Sequence, residues 1–435
     1  MIITILIFLL ILGLLVFVHE LGHFLTAKKF GARVEEFGFG LPPRAFGVQL
    51  FRAAEMQKVA EEDTVTVQVG GRQNVFGAEI VEEKVTEKIR EIDVIKPVKK
   101  WRFLGRGYDT SKNEKDPTVY SLNWIPLGGF VKIKGEEGGV ANEPDSFAGK
   151  PIWQRAVILV AGVAMNFILA AMLLGIGFGI GLPQALSESD PVHATIRDRN
   201  TQIVQVLEST PAAETGLRAG DIILSIDSQE IQSENFLRSY IEARERQNIS
   251  LKIKRDNQTL DFAAAPIVLK QTGKPGLGIS FVETGIVSYP WYLAIWKGLL
   301  AAWFYAKEIV AAFYQLIKNL IIHQNVAMDL SGPVGIAVMT GRVARLGFIY
   351  LLQFAALLSI NLAIINVLPF PALDGGRLLF LAIERLRGRA MNQRIESWAH
   401  TVGFALLMLL VLVVTYRDIA RFSYKFMELW QRLIN

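Results

Sequence analysis

The fold of this chain is decided by its first apolar stretch, which reads IITILIFLLILGLLVFVHELGHFLTAK from residue 2 to residue 28. A helix needs about 20 mostly apolar residues to cross the hydrocarbon core of a bilayer, and this stretch is longer than that. No basic residue precedes the apolar run and no small-residue cleavage site follows Val18, so we interpret the stretch as a retained transmembrane helix and not as a signal peptide. The chain is therefore expected to be a membrane protein.

Three more segments have the length and apolarity of a transmembrane helix, at about residues 156–182, 347–368 and 399–416. The composition agrees, because 51% of the 435 residues are hydrophobic and only 20% are charged, which is too apolar for an ordinary water-soluble protein. The chain contains no cysteine, so a bound metal must be held by His, Asp or Glu and not by thiolates. The net charge of +5 does not indicate a nucleic-acid partner.

The distribution of lysine and arginine predicts how the helices are oriented, because these residues are enriched at the cytoplasmic ends of transmembrane helices. They are concentrated between the first and second apolar segments and between the third and fourth, where the chain has Arg377, Arg385, Arg387, Arg389 and Arg394. These loops are expected in the cytoplasm, with the amino terminus and residues 183–345 outside. The basic tail at residues 417–435 fits poorly, and its spacing is typical of an amphipathic helix on the membrane surface.

Residues 291–322 form a fifth apolar and aromatic segment, but Lys297, Lys307, Glu308 and Lys318 interrupt it. Charges at the centre of a bilayer are costly, so we expect an interfacial helix here in preference to a transmembrane helix. If the segment crossed the membrane, every later element would change sides.

Residues 203–281 are expected to form a soluble α+β module. Alternating apolar residues predict strands at 222–226 and 250–254, with a helix between them at 236–246. The sequence PAAETGLRAGD at residues 211–221 resembles the signature of bacterial protease PDZ domains, in which a peptide adds as an extra strand to a sheet edge. A small domain that binds no ligand is the alternative.

A charged stretch at residues 51–120 separates the first two apolar segments. It contains TVTVQV at residues 64–69, an alternating strand followed by Gly70-Gly71, which has the composition of a hairpin turn. The sequence assigns no function to this stretch.

The residues that carry chemistry lie inside the first apolar segment, in the sequence VHELGHF at residues 18–24. Residues four apart lie on one face of a helix, about 6 Å apart along its axis, so His19 and His23 can bind one metal ion while Glu20 lies beside it. Zinc lowers the pKa of a bound water towards about 7, and Glu20 would accept its proton as the general base of peptide hydrolysis. Gly22 allows another backbone or a substrate to approach. The simpler interpretation, polar residues at a helix end, is disfavoured because such groups inside membrane helices are costly and usually functional.

A catalytic zinc site usually has three protein ligands, so a third ligand must come from another helix. The third apolar segment ends in NLAIINVLPFPALDGG at residues 361–376. Asp374 is an acid at a proline-interrupted helix end, on the same predicted side of the membrane as the two histidines. Taken alone, Asp-Gly-Gly after prolines is more often a turn, but together with the histidine motif it becomes the candidate third ligand for Zn²⁺.

These motifs resemble those of the intramembrane site-2 proteases, a family of zinc metalloproteases, in a bacterial single-PDZ form. The resemblance covers four blocks, at about residues 10–50, 120–182, 203–281 and 329–416. It implies the same zinc ligands and general base as above. Asn361 and Asn366 match asparagines of that family implicated in substrate handling.

Two further features depend on the resemblance. The sequence IPLGGFVKI at residues 125–133 resembles the family's membrane-associated β-hairpin, whose edge can pair with an unwound substrate. The candidate substrate-binding residues there are Gly128, Gly129, Phe130 and Val131, and an ordinary hairpin packed on its own protein is the alternative. In the second apolar segment this chain has GVAMN at residues 162–166, where relatives often have Gly-Pro before an Asn. Asn166 either lines the catalytic chamber or makes a helix-packing contact.

The expected architecture is a polytopic α-helical membrane protein with about four transmembrane helices, a membrane-associated β-hairpin and an inserted α+β PDZ-like domain. Its expected parts are a first transmembrane helix at 1–30, a cytoplasmic loop at 31–155 with the extra stretch 51–120 and the hairpin near 120–135, a second transmembrane helix at 156–182, the PDZ-like domain at 192–285, an interfacial helix and linker at 290–345, a third transmembrane helix at 346–376, a basic cytoplasmic loop at 377–398, a fourth transmembrane helix at 399–416 and an amphipathic tail at 417–435.

The expected function is a zinc-dependent intramembrane endopeptidase that cleaves single-pass transmembrane proteins, such as anti-sigma factors or signal-peptide remnants, in regulated intramembrane proteolysis. The resemblance implies a first cut by an upstream site-1-type protease and a place in the bacterial inner membrane, with the active site opening to the cytoplasm. A non-catalytic PDZ-containing receptor or scaffold, and a metal transporter, are the alternatives, although a structural metal site needs no Glu between its histidines. His193, His323 and His400 are expected to have solvent or interface roles.

Overall fold

The computed structural model describes residues 2–61, 90–105, 117–136, 143–186, 193–231, 233–255, 258–269, 272–322, 331–389 and 391–434. Four helices in these ranges are long and apolar enough to cross a membrane: Ile3–Lys29, Ile152–Ile180, Phe348–Val367 and Gln393–Arg421. The four predicted transmembrane helices are therefore confirmed. The second and fourth begin several residues earlier than predicted, and the third ends before the Asp374 motif.

The helices, in chain order, are α1 Ile2–Lys29, α2 Ile152–Ile180, α3 Pro211–Glu214, α4 Glu234–Glu242, α5 Trp291–Ile322, α6 Pro333–Leu346, α7 Phe348–Val367, α8 Asp374–Arg387 and α9 Gln393–Ile434. The strands are β1 Val34–Glu61, β2 Arg90–Leu104, β3 Val119–Ile133, β4 Leu182–Ala185, β5 Thr195–Val206, β6 Ile222–Ile226, β7 Gln229–Glu230, β8 Ile249–Arg255, β9 Gln258–Ala264, β10 Ile267–Val268, β11 Pro275–Gly276 and β12 Ile279–Ser288.

The central bundle consists of α1, α2 and α7, with α2 antiparallel to the other two. Near one end of the bundle, Leu351 of α7 clusters with Ile7 of α1 and Leu173 of α2. Towards the other end, the imidazole of His23 on α1 contacts the backbone of Ile158 on α2. Helix α7 therefore begins on the side of the bundle where α2 ends. The chain thus leaves α2 and enters α7 on the same side of the bundle. The orientation of α7 and the later elements therefore does not depend on whether α5 crosses the membrane.

Helix α5 packs lengthwise against α2, and its predicted interfacial position remains a prediction. The ring of Tyr289, just before α5, contacts Phe178, and further along α5 the ring of Trp303 contacts Phe167. Between them Gly298 touches the α2 backbone, since a Cβ there would lie 2.4 Å from the carbonyl oxygen of Ala171. Small residues allow this close approach. The sequence did not indicate this packing, because the role of Gly298 depends on its contact with α2.

The sheet formed by β1, β2 and β3 lies against α1. Residues 36–39 of β1 pair with residues 129–132 of β3 on one side and with residues 119–122 of β3 on the other. The hairpin predicted near 120–135 is therefore wrong in its pairing, because its two arms enclose a segment of β1 and do not pair with each other. Among the described residues, the arm at 129–133 pairs with β1 alone. The arm also packs on α1, since a Cβ at Gly129 would lie 3.1 Å from Phe17 Cα.

Part of the unassigned stretch at 51–120 forms a long two-stranded ribbon. Residues 47–61 of β1 pair continuously with residues 90–104 of β2 in an antiparallel register. The strand predicted at 64–69 and the turn at Gly70-Gly71 lie outside the described residues.

Residues 193–288, together with β4, form the inserted α+β domain. The predicted strands are confirmed by β6 and β8, and the predicted helix by α4, which is shorter than expected. Ser233 caps the start of α4 by accepting a hydrogen bond from the N–H of Phe236. The domain has its own apolar core, with Ile203, Ile226, Leu237 and Leu251 fully buried. We refer to it below as the PDZ-like domain.

The predicted basic loop at 377–398 is mostly helical. It contains most of α8, which ends at Gly388 in a left-handed conformation with φ 66°, and the first turn of α9. Ion pairs fix α8 to its surroundings, with Arg155 of α2 bound to Glu384 and Arg377 bound to Glu136 after β3. The segment still connects the third and fourth transmembrane helices, and its predicted cytoplasmic location remains a prediction. Its helical content was not predicted, although the spacing of its apolar residues suits a half-buried helix.

Candidate metal centre and active site

The two histidines of the motif lie one helical turn apart on α1 and point at the same place. His19 Nε2 and His23 Nε2 are 3.2 Å apart, and both side chains are buried, with 6% and 8% of their surface exposed. Apart from Glu20, the neighbouring residues of α1 are apolar or glycine, so the two imidazoles are polar groups in a largely apolar bundle. Such groups require a partner.

Asp374 supplies the third donor. It is the first residue of α8, and the chain reaches it from α7 through a turn that contains Pro369 and Pro371. Asp374 Oδ2 lies 2.9 Å from His19 Nε2 and 3.3 Å from His23 Nε2. Among the residues that the structure describes, these three form the one group of at least three metal-ligating side chains whose donor atoms converge, all within 4.8 Å of one another.

The three donor atoms fit a zinc ion. Zinc takes nitrogen and carboxylate ligands at about 2.0–2.2 Å in a tetrahedral arrangement, which places neighbouring donor atoms about 3.3 Å apart. The observed separations of 2.9, 3.2 and 3.3 Å match that spacing. Two nitrogens and one carboxylate form a catalytic ligand set with a fourth position for water. The Asp374 side chain is 20% exposed, so water has a route to this position.

Contacts behind the histidines fix their protonation. His23 Nδ1 donates to the carbonyl oxygen of Ile158 over 2.8 Å, which leaves the lone pair of Nε2 for a metal. The carboxamide nitrogen of Asn166 lies 3.3 Å from His19 Nδ1, while Asn166 Oδ1 is buried without a partner in the described part of the chain. When His19 Nε2 binds a metal, Nδ1 carries the proton, and the amide orientation that presents Oδ1 satisfies both groups.

Two glycines bring α1 and α2 together at this level. A Cβ at Gly22 would lie 2.4 Å from the carbonyl oxygen of Ala161, so the predicted approach of another backbone at Gly22 is confirmed. A Cβ at Gly162 would lie 2.4 Å from His23 Nε2 and 2.8 Å from His19 Cε1. Both imidazoles therefore pack directly against the backbone of α2 at Gly162.

Glu20 lies between the metal centre and the β3 arm at 129–133. Its carboxylate is within electrostatic range of His23 and Asp374 and receives a backbone hydrogen bond from Val131. The arm is held against α1 by close contacts, since a Cβ at Gly128 would lie 2.7 Å from Val16 Cγ1. A base, a metal-ligand triad and a sheet edge therefore meet at one place, which is the arrangement needed for metal-assisted hydrolysis of an extended peptide.

Comparison with known proteins agrees with this geometry. The sequence profile of peptidase family M50 matches residues 7–60 and 98–410. The chain belongs to peptidase family M50. The regulator of sigma-W protease RasP of Bacillus subtilis is 34% identical over 96% of this chain and 98% of its own length. The zinc metalloprotease RasP of Geobacillus kaustophilus is 32% identical over 95% of this chain and 97% of its own length.

This M50 peptidase is therefore a zinc-dependent metalloendopeptidase of the intramembrane site-2 type and a bacterial membrane protein. The family match omits residues 61–97, which fall within the stretch 51–120 that the sequence could not assign. The PDZ domain of an SdrC-like protein from Listeria innocua, a solved structure, is 30% identical over 19% of this chain and 92% of its own length, with a TM-score of 0.18.

The two asparagines predicted to handle substrate are placed differently in the peptidase. Asn366 Nδ2 lies 3.3 Å from His19 Nε2, so its carboxamide is at the metal centre. Asn361 donates a hydrogen bond to the carbonyl oxygen of Leu357 in its own helix and is not brought to the metal ligands by any described contact. The substrate role of both residues remains a prediction, as does that of Gly128, Gly129, Phe130 and Val131.

The ionisation of Asp374 suits a metal ligand. Burial raises the pKa of its carboxyl, but hydrogen bonds with His19 and His23 outweigh burial and lower the pKa well below its usual range. The third donor is therefore ionised at neutral pH.

The sequence missed two residues of the M50 site, Gly162 and His400, and left the role of Asn166 open. Gly162 and Asn166 contact the histidines from α2, and the single available signal was an asparagine inside an apolar helix, for which both interpretations were left open. His400 was expected in a solvent or interface role, but its Nδ1 accepts a hydrogen bond from the backbone N–H of Ala372, two residues before Asp374. His193 is exposed and has no ligand neighbours among the described residues, and His323 lies outside them.

Proposed function

We propose that this M50 peptidase cleaves transmembrane segments of other membrane proteins, with zinc held by His19, His23 and Asp374 and with Glu20 as the general base. The convergence of the three donor atoms beside Glu20, inside a bundle of transmembrane helices, carries this proposal. Zinc, when bound, acidifies water and polarises a carbonyl group.

The peptidase residues act on protons and on substrate orientation. Glu20 takes a proton from the attacking water as the C–O bond forms, and passes a proton to the leaving nitrogen as the C–N bond breaks. The carboxamide of Asn366, near His19 Nε2, is positioned to hydrogen-bond the substrate carbonyl. Asn166 and the carbonyl oxygen of Ile158 hold the histidine rings in their ligating orientation.

The sheet edge at residues 129–133 is proposed to hold the substrate extended. A transmembrane helix hides its peptide bonds in its own hydrogen bonds, so a protease must unwind it before hydrolysis. Strand addition supplies new partners for the freed N–H and C=O groups. The backbone N–H of Val131 in this arm bonds Glu20, so a substrate strand added to the arm would lie beside the base.

The substrate is proposed to arrive after a first cut by another protease. The PDZ-like domain lies on the side of the bundle where α2 ends and α7 begins, and the metal centre lies towards the opposite end. Positive residues around α8 support a cytoplasmic location of the metal side. A domain on the outer side would admit a shortened segment and exclude a large intact one. The relative named regulator of sigma-W protease is consistent with anti-sigma factors as the class of substrate.

Metal removal tests the proposed function directly. We expect the purified protein to retain about one zinc ion per chain and to cleave a model single-pass transmembrane substrate in detergent. Phenanthroline should abolish cleavage, and added zinc should restore it. Cleavage that continues at full rate in metal-free protein would exclude the proposed mechanism, and bound zinc without cleavage of any transmembrane substrate would favour a non-catalytic role.

The proposed orientation has a separate test that uses the absence of cysteine. Single cysteines replace two exposed residues, Gln229 in the PDZ-like domain and Arg389 between α8 and α9. We expect a membrane-impermeant maleimide to label Gln229→Cys in intact cells and Arg389→Cys only after permeabilisation. The cysteine-free parent is the control, and the reverse labelling pattern would place the metal centre on the outer side.

A further inference from the structure

Helix α9, the fourth transmembrane helix, contacts the turn that immediately precedes Asp374. The backbone N–H of Ala372 donates to His400 Nδ1 over 2.9 Å. One turn further along α9, Gly403 packs on the same turn, since a Cβ there would lie 2.5 Å from the carbonyl oxygen of Pro371. Residues three apart share a face of a helix, so α9 presents one surface, formed by His400 and Gly403, to residues 371 and 372.

The conformation of Ala372 explains why this turn needs support. Its φ is +81°, a region that residues with a Cβ rarely adopt because it costs free energy. Such a conformation persists when the surroundings hold it. Among the described hydrogen bonds, the Ala372 N–H makes one, to His400 Nδ1. A change of backbone angles at Ala372 would swing Asp374, two residues later, away from the histidines.

The contact with Ala372 determines the tautomer of the His400 ring, and neighbouring side chains hold the ring in place. Because Nδ1 accepts a hydrogen bond, Nε2 carries the proton, and Nε2 is buried without a partner among the described residues. The ring packs against Phe380 of α8, with centroids 5.5 Å apart and planes at 62°. His400 also lines a cavity of about 400 Å³ that it shares with Arg155 and Arg377, and no acidic side chain bonds it there in the described contacts.

We infer that α9 is a positioning element of the metal centre: His400 and Gly403 hold the turn at residues 371–372 so that Asp374 meets the two histidines. The inference rests on the proposed zinc site. It assigns the fourth transmembrane helix a role in metal binding although none of its residues is a ligand. His400 is a positioning residue, because it acts through the backbone of Ala372.

Replacing His400 tests whether zinc binding depends on its hydrogen bond to Ala372 or only on the volume of the side chain. We expect His400→Ala to lower zinc affinity about tenfold, at the low end of the 10–100-fold loss seen when supporting partners of metal ligands are removed. His400→Asn places an amide oxygen near the former Nδ1 and should keep the affinity within about threefold of wild type. Val402→Ala, at an exposed position of α9, is the matched control and should change nothing. Affinity is measured by competition of metal-free protein with a chromophoric chelator.

Two further variants test the strain and the packing. Ala372→Gly allows a φ of +81° without a Cβ, so adding it to His400→Ala should recover part of the lost affinity. Gly403→Ala favours the helix but pushes a methyl group into Pro371, so we expect it to weaken zinc binding while α9 stays folded. The KM for a transmembrane substrate should be unchanged in each variant, because none of the three residues lies on the sheet edge at 129–133.

The outcomes distinguish this inference from the function on which it rests. If the wild-type protein binds no zinc, the proposed metal site fails. If the wild type binds zinc and His400→Ala binds it equally well, the positioning role fails while the metal site stands. Equal loss in His400→Ala and His400→Asn, with no recovery from Ala372→Gly, would also overturn the positioning role, because it would mean that the hydrogen bond is not what matters.

Discussion

Replacing Glu20 with Gln is expected to reduce cleavage of a transmembrane substrate by about 10³-fold, within the range that general acid–base catalysis contributes. Glutamine has the shape of glutamate but does not accept a proton at neutral pH. Glu20 is not one of the three converging donors, so zinc content should be unchanged. The loss should therefore appear in kcat, measured by single-turnover cleavage with enzyme in excess.

The matched control for Glu20→Gln is Glu230→Gln, at an exposed position of the PDZ-like domain. It removes the same charge from the chain and should cleave at the wild-type rate. Equal cleavage by Glu20→Gln and wild type would rule out Glu20 as the base. Loss of zinc from Glu20→Gln would instead make Glu20 part of the ligand set.

Replacing Gly162 with Ala is expected to lower zinc affinity about 100-fold and to remove most activity at limiting zinc. The added methyl group would lie 2.4 Å from His23 Nε2, a separation that non-bonded atoms do not tolerate. The ring of His23 is tied to the carbonyl oxygen of Ile158, so it cannot move aside without losing that bond. Chelator competition with metal-free protein gives the change in affinity.

Gly179→Ala is the control for the same substitution in the same helix. A Cβ there would meet the Cβ of Ala294 at 3.9 Å, an ordinary contact. Alanine also stabilises a helix interior relative to glycine by up to about 1 kcal/mol, so neither variant should unfold α2. Wild-type zinc affinity in Gly162→Ala would show that the imidazoles do not rest on α2 as the structure has them.

The three converging donors were predictable from the sequence because their signals are local. His19 and His23 are four residues apart on one helix. Asp374 follows a proline-interrupted helix end on the same predicted side of the membrane, and it became a candidate only together with the histidine motif. The four spans were predictable for the same reason, since apolarity over 20 residues is a property of a continuous segment.

The parts that were missed depend on contacts between distant segments. Gly162 and Asn166 acquire their roles only when α2 crosses α1 at Gly22, and no periodicity within either helix encodes that crossing. His400 contacts a turn 28 residues earlier in the chain. The pairing of β3 was mistaken because its composition shows a turn but not that a segment of β1 enters between the arms.

The two ends of the PDZ-like domain meet where the domain joins α2 and α5, because residues 182–185 of β4 pair with residues 284–287 of β12. The domain is thus attached to α2 and α5 through one pair of hydrogen-bonded strands. Exchanging or enlarging the rest of the domain would leave these two strands, and the packing of both helices, unchanged. The PDZ-like domain can therefore evolve independently of the hydrolytic centre, with no compensating change needed in the helices that build that centre.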